Sequence, residues 1–206
     1  MIKIIMVPVG LLQANCYIVH DDTRNDAVLI DPGDDEESIR VELLKARLSP
    51  KAILLTHGHF DHCNAAKAFA ADGAKIYMHN ADEIMTRTRL NMSELTGGPF
   101  NSFTPDVLLN GGETIEECGM SFKVIHTPGH TAGSVCYITE DKLFTGDTLF
   151  YLGVGRTDLP TGNYRELEHS VRDILFKLKG DFAVFPGHGE LTALSFEKEH
   201  NMLAEI

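Results

Sequence analysis

The sequence predicts an α/β protein built from two packed mixed sheets with helices covering both outer faces. Two observations lead there. A β-rich stretch followed by alternating strands and helices occurs twice along the chain, as two sheet-forming halves would require. Residues able to bind metal also recur just after predicted strands, where a rigid scaffold presents its loops. The 206 residues hold no linker or low-complexity stretch, so one domain spanning residues 1–206 is expected, enough for one sizeable core.

Each element has its own warrant. Residues 2–7, 15–19 and 27–30 are short β-prone runs separated by turn residues. Residues 36–48 read as a helix because Ile39, Leu43 and Leu44 are spaced for one buried face and acidic residues open the segment. Alternation follows, with a strand at 52–55, a helix at 61–72, a strand at 75–78 and a helix at 81–90. Residues 91–105 are expected to be a loop around Gly97-Gly98-Pro99. A second strand-rich block runs from 107 to 151, then a helix at 164–179, a strand at 182–185 and a last helix at 192–205.

Composition narrows the function. Hydrophobic residues make up 43% and charged residues 23%, as in globular proteins. The net charge is −12, without a basic run to track phosphates, which argues against nucleic acid. Cys16, Cys63, Cys118 and Cys136 form no CxxC pair and are expected as reduced thiols. Residues 1–10, interrupted by Pro8 and Gly10, read as a first strand rather than a signal peptide. No apolar run approaches membrane-spanning length, so a cytoplasmic protein with a small-molecule substrate is expected. Composition leaves the oligomeric state open.

Chemistry concentrates in Thr56-His57-Gly58-His59-Phe60-Asp61-His62. His57 and His59 leave the end of a strand two residues apart, on the same side. Asp61 and His62 follow at the start of a helix, so the four side chains can meet around one point. Neutral imidazole and carboxylate are ligands for zinc, iron and manganese. A capping turn would explain Asp61 but none of the histidines. Three later segments each end a strand with one further metal-capable residue: His130 in His126-Thr127-Pro128-Gly129-His130, Asp147 after Gly146, and His188 between Gly187 and Gly189. Each alone could be an ordinary turn residue; their coincidence with the first cluster argues for one centre. His20, His79, His126, His169 and His200 are read as structural or surface histidines, and Cys63 as a buried packing residue.

The set His57-x-His59-x-Asp61-His62, His130, Asp147 and His188 resembles the metallo-β-lactamase superfamily, from Asp31-Pro32-Gly33 to Gly187-His188-Gly189. That resemblance implies a four-layer αββα sandwich with two divalent metal ions, zinc foremost and iron or manganese acceptable, at one edge of the sheets. Carried over by position, His57, His59 and His130 hold one metal, Asp61, His62 and His188 the other, and Asp147 bridges them. Asp61 and Asp147 thereby count as catalytic as well as ligating. Asp31, which could otherwise be a turn residue before Pro32, would brace a metal-bound histidine.

Within the superfamily the chain is similar to the short bacterial-type hydroxyacylglutathione hydrolases of the glyoxalase II group. The residues that carry this are Gly153-Val154-Gly155-Arg156-Thr157-Asp158 and Gly187-His188-Gly189-Glu190-Leu191-Thr192, with Glu197 and Asn201 beyond. The resemblance implies hydrolysis of an S-2-hydroxyacylglutathione such as S-lactoylglutathione, or a related thioester, by a metal-bridging hydroxide. Arg156 would then bind a substrate carboxylate; its alternative is an ion pair with Asp158. Two departures predict modest affinity for the glutathione part. Only residues 189–206 follow His188 where a helical C-terminal domain is expected, and Leu191 stands where a Tyr would contact the peptide. Rival readings are a persulfide dioxygenase with one iron on His57, His130 and Asp147, another metallo-hydrolase such as a lactonase or nuclease, and a metal-stabilised interaction module.

Overall fold

The computed structural model describes residues 1–95 and 100–204. The expected Gly97-Gly98-Pro99 turn and the expected helix end at Glu205 lie outside the described residues. Strands β1 (Ile2–Val9), β2 (Ala14–Asp21), β3 (Asp26–Ile30), β4 (Ser49–Leu54), β5 (Lys75–His79) and β6 (Val107–Leu109) form one sheet in sequential order. Its first two pairings are antiparallel and the remaining three parallel. Parallel neighbours need crossover connections. Helix α1 (Glu36–Ala46) supplies one between β3 and β4; α2 (Phe60–Cys63) and α3 (Ala66–Ala71) supply the next.

The second sheet contains β7 (Thr114–Glu117), β8 (Met120–His126), β9 (Val135–Thr139), β10 (Lys142–Gly146), β13 (Ala183–Pro186) and β14 (Thr192–Ala193), in the spatial order β14-β13-β10-β9-β8-β7. Only β10 and β13 pair in parallel. A small hairpin, β11 (Leu149–Phe150) with β12 (Gly153–Val154), follows β10, and helices α4 (Tyr164–His169) and α5 (Leu194–His200) complete this half.

Side-chain alternation divides the strands between three cores. Tyr17, Val28, Ile30 and Leu54 meet Phe122, Val124, Tyr137 and Phe144 between the sheets. Their neighbours Ile18, Leu29 and Ile53 face outward onto Ile39 and Leu43 of α1 and Phe69 of α3. On the far side Cys136, Leu143 and Val184 pack with Val171, Leu175 and Leu194. Strands buried on both faces read as continuous apolar runs, which is why β3 and the end of β4 show no polar alternation. The layers run helix, sheet, sheet, helix, as the sequence predicts.

Several elements differ from expectation for identifiable reasons. Leu44 is 81% exposed, because α1 buries only the Ile39–Leu43 stripe. The helix expected over 61–72 is two short helices. Between them the Ala65 amide donates to Pro32 and Gly33 carbonyls at 3.1 and 3.0 Å rather than continuing the helix. The turn at Gly33 presses so closely there that a Cβ on it would lie 1.6 Å from the Asp61 carbonyl oxygen. The segment expected as a helix over 81–90 is 3₁₀, at Asn80–Arg87 and Arg89–Asn91, and the one over 164–179 passes from α4 into a π-helical Ser170–Leu175. Thr192 begins β14 rather than the last helix, pairing with Val184.

The sheets are stitched together at one edge. Asn15 donates from its backbone to Gly187 O at 2.7 Å and from Nδ2 to Pro186 O at 3.0 Å, and Tyr17 Oη donates to Pro186 O at 2.6 Å. Tyr137 Oη donates to Leu55 O at 2.7 Å, and the Val135 amide to Thr56 O at 2.8 Å. These bonds register the loops after β4 and β13 against each other. No described helix is long and apolar enough to cross a membrane. All four cysteines are buried and unpaired.

Candidate functional site

The loop leaving β4 is held first by Asp31, at the end of β3. Asp31 is buried with φ of 50°, a left-handed conformation uncommon for a residue with a Cβ. Its Oδ1 accepts the Thr56 amide at 2.7 Å and its Oδ2 the Thr56 hydroxyl at 2.6 Å. Oδ2 also lies 3.0 Å from His62 Nδ1. His57 Nδ1 is 3.1 Å from Thr56 Oγ1, and His130 Nδ1 is 2.8 Å from the Arg156 carbonyl. Three imidazoles thus have Nδ1 held from behind and Nε2 free to face the centre, the arrangement by which neighbours fix the orientation of a metal-binding ring.

The inward atoms converge. His59 Nδ1 is 2.9 Å from His130 Nε2, and His62 Nε2 is 3.2 Å from His188 Nε2. Asp61 Oδ2 lies 3.3 Å from His188 Nε2 and 3.6 Å from His62 Nε2. Asp147 reaches to both sides, with Oδ1 3.4 Å from His62 Nε2 and Oδ2 3.5 Å from His130 Nε2. Potential ligand atoms of His57, His59 and His130 lie within 4.8 Å of one another, as do those of Asp61, His62 and His188. Asp31, His57 and His62 satisfy the same criterion, but both Asp31 oxygens already accept hydrogen bonds, so it braces the ring instead.

The donor set fits divalent cations. Buried His57 Nε2 and Asp147 Oδ1, both turned to the centre, have no hydrogen-bond partner in the protein, a costly state for polar atoms removed from water. Burial pushes the pKa of His57 well down and that of His59 to about 3, so both rings are neutral and offer lone pairs. Burial opposes ionisation of Asp61, yet His62 and His188 hold its carboxyl below the usual range. Burial likewise disfavours a charged His62, but Asp147, Asp61 and Asp31 lift its pKa to about 10. Burial also opposes charge on His188, which the Asp61 hydrogen bond and Asp147 raise. Carboxylates that favour positive charge on a ring favour a cation at the same place.

Close packing extends to Gly187. A Cβ there would sit 2.2 Å from Asp147 Oδ1 and 2.8 Å from His62 Cε1. Gly187→Ala is therefore expected to lower metal affinity and turnover at least tenfold by displacing Asp147, with far-UV circular dichroism unchanged; wild-type affinity would show that the carboxylate moves aside freely.

One buried acid was missed by sequence reasoning. Asp82, in the 3₁₀ segment after β5, accepts the Gly58 amide at 3.0 Å, the Thr131 hydroxyl at 2.7 Å and the Gly133 amide at 2.7 Å. It ties the loop carrying His57 and His59 to the loop carrying His130. Burial raises its pKa, and those three donors oppose the shift. His126 stays outside the cluster, stacked on His79 at 4.1 Å. Cys63 points away, its Sγ 3.2 Å from the His59 carbonyl and its thiol pKa pushed up by burial.

A cleft of about 380 Å³ opens onto the centre. Arg156 lines it, but its guanidinium is already held by Asp158 through two 2.7 Å bonds. The hairpin carrying Phe150 and Val154 is anchored from α5. Glu197, buried, accepts the Leu152 amide at 3.0 Å, and Asn201 Nδ2 donates to Gly153 O at 3.0 Å.

The sequence profile of the family described as Metallo-beta-lactamase superfamily matches residues 9–188. A Haemophilus influenzae protein named hydroxyacylglutathione hydrolase GloC is 37% identical over 202 residues, 95% of each chain. The crystal structure of BLEG-1 B3 metallo-beta-lactamase superimposes with a TM-score of 0.91 at 38% identity, over 98% of each chain. TTHA1623, solved in a di-iron-bound form, gives 0.84 at 33% identity over 96% of this chain and 98% of that one. The fold and its His and Asp clusters support divalent metal ions at this edge.

Proposed function

We propose that this chain, which belongs to the metallo-β-lactamase superfamily, is a thioester hydrolase acting at a two-metal centre on S-2-hydroxyacylglutathiones or on related thioesters. His57, His59 and His130 would hold one ion, Asp61, His62 and His188 the other, with Asp147 between them. The observation that carries the reading is the convergence of these seven side chains at the head of one cleft. Similarity to GloC along 95% of both chains supports the reaction class.

When bound, divalent cations supply a Lewis acid for the carbonyl and lower the pKa of a coordinated water to about 7. The chain's own residues supply orientation. Asp31 fixes the His62 ring, Thr56 that of His57, and the Arg156 carbonyl that of His130. No Ser, Thr or Cys lines the cleft among the described residues, so water is the nucleophile. The acyl C–S bond breaks, a C–O bond to water forms, and a carboxylate, a thiol and a proton leave. Zinc, iron and manganese all accept this donor set.

Thiol release from S-lactoylglutathione under anaerobic conditions tests this. One thiol per thioester is expected, with turnover abolished in His59→Ala and Asp61→Ala. No thiol release, together with oxygen uptake on a persulfide, would install the dioxygenase instead. That rival leaves no role for His188, which sits 3.2 Å from His62 and 3.3 Å from Asp61.

Arg156→Ala is expected to change KM for S-lactoylglutathione by no more than about twofold, because Asp158 already fills the guanidinium fork and the carbonyl that holds His130 survives the substitution. A KM rise of tenfold or more would assign the guanidinium to a substrate carboxylate.

A further inference from the structure

Arg156 is the one cation lining the cleft among the described residues, and Asp158 already occupies its fork. Away from the candidate ligands the walls are otherwise apolar: Leu12, Phe60, Met92, Phe150, Val154 and Leu159. This lining begins at the centre itself, where the Phe150 ring stands edge-on to His188 with centroids 6.2 Å apart. It continues to the rim at the turn between β1 and β2. There Leu11 and Leu12 are 84% and 46% exposed, between Gly10 and Gln13, both in left-handed conformations. The volume falls within the range of about 300–1,000 Å³ typical of small-molecule sites. Glutathione would bring two carboxylates and one ammonium, a net negative charge, to a chain of net charge −12, next to a cation already paired with Asp158. An uncharged, apolar arm would instead cover Leu12, Phe150 and Leu159.

We infer that the substrate of this site is a thioester with an apolar acyl arm of several methylenes, held by the wall formed by Leu12, Phe150 and Leu159, and an uncharged thiol part. The inference rests on the thioester reading above and adds what selects the thioester. Buried methylenes favour binding roughly in proportion to their number, and on a half-open wall each contributes about two- to fourfold.

The test uses metal-loaded protein and non-hydrolysable ketone analogues of N-acetylcysteamine thioesters, in which a methylene separates sulfur from the carbonyl. Methyl, butyl and hexyl ketones, and the hexyl ketone of glutathione, are titrated by calorimetry. The expected result is affinity rising about two- to fourfold per methylene, with the glutathione analogue no tighter than its N-acetylcysteamine counterpart. The double variant Leu12→Asp, Phe150→Ala should flatten the series, and its circular dichroism reports folding. A flat series in the wild type, or tighter binding of the glutathione analogue, would overturn the inference. Hydrolysis of the matching thioesters separates the two claims. Hydrolysis with a flat series overturns this assignment alone, whereas chain-length-dependent binding with no hydrolysis overturns the thioester reading and this assignment with it.

Discussion

Asp147→Ala is expected to weaken metal binding at both halves of the centre at once and to abolish turnover. Its carboxylate reaches His62 Nε2 through one oxygen and His130 Nε2 through the other, at 3.4 and 3.5 Å. Asp61, by contrast, faces His62 and His188. A residue that only braces a ligand costs about 10- to 100-fold in metal affinity when removed, and loss of a shared carboxylate should exceed that at each half. Calorimetric titration with zinc should show both binding events weakened. Loss of one event with the other intact would make Asp147 a ligand of a single ion.

Asp82→Ala should destabilise the fold and the metal centre together. Asp82 is fully buried and accepts three hydrogen bonds from two separate loops. Alanine leaves the Gly58 and Gly133 amides buried without partners, at about 1–3 kcal/mol each, so a loss of about 2–5 kcal/mol is expected. Asp82→Asn should also destabilise, because its Nδ2 would face one of the donors that now bond to carboxylate oxygens. Metal affinity should fall by about 10- to 100-fold as the His59 and His130 loops lose their tie. Thermal unfolding with and without saturating zinc checks both parts, and a Tm unchanged in either condition would contradict them.

What was legible in the sequence follows from how each residue makes its contacts. His57, His59, Asp61 and His62 are contiguous, so local geometry alone brings them together. His130, Asp147 and His188 each follow a strand and a glycine, and parallel strand ends gather at one edge. Asp31 was legible only through the family resemblance, since the parallel pairing of β3 with β4 that sets it beside the Thr56 loop is a tertiary contact. Asp82 was not, since an acid near the start of a predicted helix reads as a partner of the helix dipole, and its three donors are far away in sequence. The break between α2 and α3 was hidden for the same reason: it depends on Gly33 pressing on Asp61. At Arg156 the sequence offers a guanidinium as the functional group, whereas the contact made with the centre is a backbone carbonyl, to which side-chain identity is blind. The apolar cleft was equally invisible, because its wall is collected from the β1–β2 turn, α2 and the β11–β12 hairpin.

The most direct test of the two-metal centre is elemental analysis of the protein after loading with excess zinc and removal of unbound metal. On the proposed assignment, two metal ions per chain are expected, falling to one or fewer in His188→Ala. A wild-type protein that saturates at one ion per chain, with His188→Ala no different, would contradict the assignment of Asp61, His62 and His188 as a metal-binding set.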